Sequence, residues 1–157
     1  ACAKLPASTL TFYALSSFAY TAAGMAILAQ LSPLHDSGPT ERWFPWTAFA
    51  AYLIGQGFVT FLSDVLFIDR HSLWHPVDRC CSWVGVVLSV ASVWAVAADI
   101  GPVAASVYVL GIGVSAAAFI YEWYCKQQGW LESFIWAHAF WHTAGPGALI
   151  ALLISCL

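Results

Sequence analysis

Two histidines one helical turn apart, His138 and His142, stand in the run His138-Ala-Phe-Trp-His142, inside a hydrophobic stretch covering residues 131–157. Residues i and i+4 share a helix face, so the two imidazoles can offer two nitrogens to one metal ion. Ionisable side chains at membrane depth are costly and point to function. The same pair could also be satisfied by hydrogen bonds in a helix interface or face a polar cleft. A zinc centre needs a third protein ligand, and a catalytic one keeps a further position for water. Asp64, His75 and His71 are the candidates, and residue type and spacing do not choose among them. Asp78 suits a base or a carboxylate that orients a ligating histidine.

The surroundings of these residues read as membrane. Of 157 residues, 61% are hydrophobic, 16% aromatic and only 8% charged, with mean hydropathy +0.78. Soluble domains carry about 25% charge. Net charge is −3, and the five Lys and Arg form no basic patch, which argues against a nucleic-acid partner. The five cysteines (Cys2, Cys80, Cys81, Cys125, Cys156) show neither metal-ligand spacing nor a disulfide framework. They are expected to be small apolar packing residues.

Hydrophobic runs of roughly 20 residues recur, each long enough to cross about 30 Å of hydrocarbon. They predict an all-α, polytopic transmembrane bundle of about five helices, forming a single domain over residues 1–157. The spans fall at about 8–31, 45–67, 76–98, 102–124 and 131–157. The third is expected to open at Pro76, with Asp78 in its first turn. Asp99-Ile100-Gly101-Pro102 makes a tight turn that predicts an antiparallel hairpin of spans three and four. Five spans put the N-terminus and the 68–75 and 125–130 connections on one side, with Lys4, Arg70, Arg79 and Lys126. The other side has only Arg42. The positive-inside rule makes the first side the inner one. Gly55, Gly57, Gly111, Gly113 and Ser115 are expected to admit close helix contacts. Trp136 and Trp141 flank the histidines and are expected to face lipid or packing neighbours.

This topology gathers Ser63, Asp64, Asp78, His138 and His142 in one inner-half pocket, with His71 and His75 in the connection above it. Pro146 cannot donate a hydrogen bond to the His142 carbonyl, so a kink is expected just beyond the pair.

With these residues in place, the chain resembles the CREST superfamily of membrane hydrolases, which includes the alkaline ceramidases and the progestin/adiponectin-receptor group. His138-Ala-Phe-Trp-His142 is similar to the histidine run of alkaline ceramidases. Ser63 and Asp78 are similar in placement to the family's Ser at the end of the second helix and Asp at the start of the third. The resemblance covers about residues 61–78 and 137–147. It implies a zinc held by three histidines, with Ser63 and Asp78 assisting hydrolysis of a lipid amide. Two features depart from the pattern. The position of the third histidine, four after Ser63, is Phe67, and five spans stand where the family has seven.

Three functions follow as expectations. The first is a non-catalytic subunit on a degenerate CREST-like scaffold, with no cofactor, embedded in the bilayer beside other membrane subunits of a respiratory or photosynthetic complex. A start at Ala1 without a signal-peptide pattern leads to the expectation of an organellar inner or thylakoid membrane. The second is a zinc-dependent, ceramidase-like amidase in which His75 or Asp64 replaces the lost ligand. The third is a pigment or haem protein using His138 or His142. A three-histidine zinc is not expected, because Phe67 cannot ligate.

Overall fold

The computed structural model describes residues 7–35, 44–67, 72–99 and 101–155. Among them every regular element is helical: α1 (Ala7–Ser16), α2 (Ala19–His35), α3 (Trp46–Phe61) continued by a π-helical turn (Leu62–Leu66), α4 (Trp74–Asp99), α5 (Pro102–Gln128) and α6 (Leu131–Ser155). Lys4, Arg42, Arg70, His71, Cys2 and Cys156 lie outside the described residues.

Trp46–Leu66, Trp74–Ala98, Pro102–Gln128 and Leu131–Ile154 are each long and apolar enough to cross a membrane. Ala7–Ser16 and Ala19–Gln30 meet the same test together, across a 42° bend. The chain is thus an integral membrane bundle of four spans, or five with the bent pair counted as one. The first predicted run is broken at Ser17 and Phe18, where Phe18 N–H bonds back only three residues to Leu15 and the Ser16 hydroxyl donates to the Tyr13 carbonyl. Hydroxyls near the break offer the backbone such alternatives to helical pairing.

Several boundaries differ from the sequence expectation. α2 runs on through Pro33 to His35. α4 opens at Trp74, not Pro76, and the Ser72 hydroxyl accepts the Trp74 N–H. Pro76 therefore sits within the first turn, where its missing N–H is harmless, and Asp78 falls beyond that turn. α5 continues to Gln128, so the expected 125–130 connection shrinks to Gly129 and Trp130. Gly129 caps α5 at φ 71°, a left-handed conformation that favours glycine.

The helices close into a ring: α2 packs on α3, α3 on α4, α4 on α5, α5 on α6, and α6 back on α1 and α2. The α4–α5 hairpin is present, but the α5–α6 pair is the more extensive contact. Gly57 lets α3 approach the break; a Cβ there would meet the Thr21 hydroxyl and the Ser17 carbonyl. Gly111 lies against Ala148, whereas Gly55 and Gly113 face open space, so those two do not serve helix contact.

The two halves of the bundle differ. Ile27, Phe49, Leu53, Val96, Tyr108, Leu149 and Leu152 fill one half with an apolar core. The other half, built from α1, the end of α3, the start of α4, the end of α5 and the first turns of α6, holds the polar residues. Trp83, Val87, Trp94, Val103, Leu110 and Ile120 are exposed along α4 and α5 and present an apolar surface to lipid.

Candidate metal centre

The π-turn controls what α3 delivers to the site. Phe67 N–H bonds the Leu62 carbonyl five residues back, at 3.0 Å. Such one-turn insertions in α-helices are frequent at functional sites. Here two adjacent side chains serve different neighbours: Ser63 reaches α4 and Asp64 reaches α6.

Asp64 Oδ2 lies 2.8 Å from His138 Nε2 and 3.9 Å from His142 Nε2. One ligand-type atom from each of Asp64, His138 and His142 falls within 4.8 Å of the others. Both histidines come from one face of α6, as their spacing predicted, with ring centroids 4.3 Å apart. His142 is 1% exposed, and the side chains of His138 and Asp64 are 12% exposed.

Behind His138 stands Glu122, near the end of α5, with Oε1 3.1 Å from His138 Nδ1. The contact is not aligned as a hydrogen bond, and His138 Nδ1, Glu122 Oε2 and His142 Nδ1 are buried without a hydrogen-bond partner. His138 thus lies between two carboxylates, Asp64 at Nε2 and Glu122 at Nδ1. Ligating histidines commonly turn their second nitrogen to a carboxylate in this way. Sequence reasoning missed Glu122, although an acid inside a predicted span was a signal to follow.

Aromatic rings enclose the pair. Tyr13 and Phe134 lie 5.0 and 5.7 Å from His138, and Tyr20 lies 5.6 Å from His142. Trp141 is 4.4 Å from His142 and 6.0 Å from His138. It walls the site, while Trp136 is exposed and packs on Phe12.

The remaining sequence candidates form two flanking groups. Asp78 Oδ1 accepts from the Thr60 hydroxyl at 2.7 Å and from Gln56 Nε2 at 3.0 Å. Ser63 Oγ lies 2.9 Å from His75 Nδ1, and His75 Nε2 lies 3.1 Å from the Phe67 carbonyl. His75 is therefore engaged with Ser63 and Phe67, and Asp64 is the third-ligand candidate beside the histidine pair. The position that resemblance reserves for a histidine, Phe67, instead contributes its backbone oxygen to His75.

The α6 backbone is adapted next to the site. The Ser115 hydroxyl of α5 donates to the Trp141 carbonyl at 3.0 Å and accepts the Gly145 N–H at 2.8 Å. A regular helix pairs those two groups with each other. α6 nevertheless runs through Pro146 as one element.

The donor set fits a divalent metal. Two imidazole nitrogens and one carboxylate oxygen are a known three-ligand set for catalytic zinc. A scan of protein-family models, a search of curated proteins and a search of solved structures each found no match to this chain.

Proposed function

We propose that this chain is a membrane-embedded, metal-dependent hydrolase of lipid amides or esters, with Asp64, His138 and His142 as the metal ligands. One observation carries the reading: the π-turn sets Asp64 Oδ2 2.8 Å from His138 Nε2 and 3.9 Å from His142 Nε2. The loss of a ligand at Phe67 favoured a non-catalytic subunit, and Asp64 supplies a replacement. The resemblance to membrane hydrolases of the CREST type supports the same reaction class. When bound, a divalent ion such as zinc supplies Lewis acidity toward a carbonyl oxygen and toward water.

The protein's own residues have distinct tasks. Glu122 orients His138. Tyr13, Tyr20, Phe134 and Trp141 exclude water, which strengthens electrostatic interactions inside the site. Asp78, held by Thr60 and Gln56, adds a carboxylate to the same polar half. The apolar faces of α4 and α5 put lipid beside the bundle, and a lipidic substrate fits that setting.

The test uses the full chain in nanodiscs, prepared with zinc present. Elemental analysis should find about one zinc per chain, and D64A and H142A should each lower that occupancy. Hydrolysis of a fluorescent short-chain ceramide or acyl ester should stop with chelator and return with zinc. A wild-type chain that retains no zinc, hydrolyses neither substrate and purifies in a larger assembly returns the function to the subunit reading.

A further inference from the structure

The Ser63–His75 contact joins two elements and belongs to no metal-ligand set. With the His75 ring neutral, the directions of its contacts with Phe67 and Ser63 follow from which atoms can donate. A backbone carbonyl can only accept, so the Phe67 oxygen, 3.1 Å from His75 Nε2, calls for the proton on that nitrogen. In the neutral ring Nδ1 is then bare. Ser63 Oγ, 2.9 Å away, must be the donor. The serine is thus hydrogen-bonded to the basic nitrogen of a histidine whose other nitrogen is held by an acceptor. That is the logic of a nucleophile, a base and an orienting group, with a carbonyl in the orienting role.

We propose that Ser63 is the nucleophile for acyl transfer and that His75 is its base, held in the working tautomer by the Phe67 carbonyl. This rests on the hydrolase reading above and names the attacking atom within it. In the first step Ser63 Oγ bonds to the acyl carbon and its proton passes to His75 Nδ1. The bond from that carbon to the leaving amine or alcohol breaks, and the leaving group takes the proton from Nδ1. In the second step water attacks the acyl carbon, passing a proton to Nδ1. The carbon–Oγ bond breaks, and Oγ recovers the proton from Nδ1. The products are a fatty acid and an amine or alcohol.

Neighbouring side chains on a helix point about 100° apart, so Ser63 faces its base on α4 while Asp64 faces the histidines of α6. Ser63 is 2% exposed, so a small, lipid-soluble reagent is the right probe.

The experiment treats the zinc-loaded full chain in nanodiscs with phenylmethanesulfonyl fluoride and locates the adduct by peptide mass spectrometry. Oγ displaces fluoride from sulfur, so the adduct reports the nucleophile without turnover. Ser63 should be modified in the wild type. H75A should slow modification about 100-fold or more, the usual contribution of a general base. H75Q, which can hydrogen-bond but cannot relay a proton, should be as slow while keeping the wild-type melting transition. H142A should lose zinc and still be labelled at Ser63. No Ser63 adduct in the wild type, or labelling of Ser63 at an unchanged rate in H75A or H75Q, overturns the proposal. The zinc content of the same samples decides the metal reading separately.

Discussion

Glu122 holds His138 from behind, its Oε1 3.1 Å from Nδ1, while Asp64 meets Nε2. Loss of such an outer partner typically costs about 10–100-fold in metal affinity. E122A should weaken zinc binding by about that factor in a chelator competition titration. E122Q, whose amide oxygen can still accept from Nδ1, should lose less. Equal losses in both variants would mean that Glu122 acts through its charge and does not set the ring's orientation. At this scale much of the site could be read from residue type and spacing. The i, i+4 pair, Ser63, Asp64 and Asp78 all stand in the polar half of the bundle. Glu122, Tyr13, Gln56 and Thr60 were overlooked, because each lies inside a hydrophobic run and only the fold brings Glu122 and Tyr13 to His138 and Gln56 and Thr60 to Asp78. The choice of Asp64 over His75 as the histidines' neighbour was illegible for another reason. It depends on the backbone of the π-turn, and no residue in Leu62–Leu66 announces an i, i+5 bond.

The elements were legible as hydrophobic runs and much less so at their ends. Apolar length identifies a span, but it cannot place the break at Ser17, where the local sequence suits helix on both sides. It also could not show that the helix would absorb Trp74 and His75 ahead of Pro76. Close contacts between elements were visible as small residues, with Gly57 and Gly111 in contact and Gly55 and Gly113 not. Gly57 is the sharpest case for a test. In G57A the new methyl would collide with Thr21 and the Ser17 carbonyl, where α3 crosses the bend. Overpacking of this kind costs about 1–3 kcal/mol. G57A should lower the thermal transition in detergent, whereas G55A, which meets nothing, should leave it unchanged or raise it slightly. A similar loss in both variants would remove Gly57 from the α2–α3 contact.

Across the whole molecule, polarity is divided between two ends. Apolar packing fills one half of the ring, and the other half concentrates Asp64, Asp78, Glu122, His138 and His142. The all-α membrane fold followed from composition and run length. The ring closure of α6 onto α1 and α2 did not, since no sequence periodicity pairs elements so far apart. Three spans, α3, α4 and α5, separate the 32–44 and 125–130 segments, so the two are expected on opposite membrane faces, with 125–130 on the inner side by the positive-inside rule. Single cysteines at Gly38→Cys and Gln128→Cys, in a chain whose native cysteines are replaced by serine, should react with a membrane-impermeant thiol reagent from opposite faces. Labelling of both from one face would mean that one of α3, α4 and α5 does not cross the membrane.

The Ser115 hydroxyl shared between Trp141 and Gly145 has a consequence for biogenesis. Lipid offers no partner to a backbone group, and each one left unmet there costs several kcal/mol. Without Ser115 the Trp141 carbonyl and the Gly145 N–H have only each other, and Pro146 leaves the His142 carbonyl without a helical donor, so α6 would enter the bilayer with a weakened ladder over the turn that carries His142. That turn of α6 becomes complete only when α5 is alongside. α5 and α6 should therefore leave the insertion machinery as a pair, and α6 alone should insert poorly unless Pro146 is replaced by alanine.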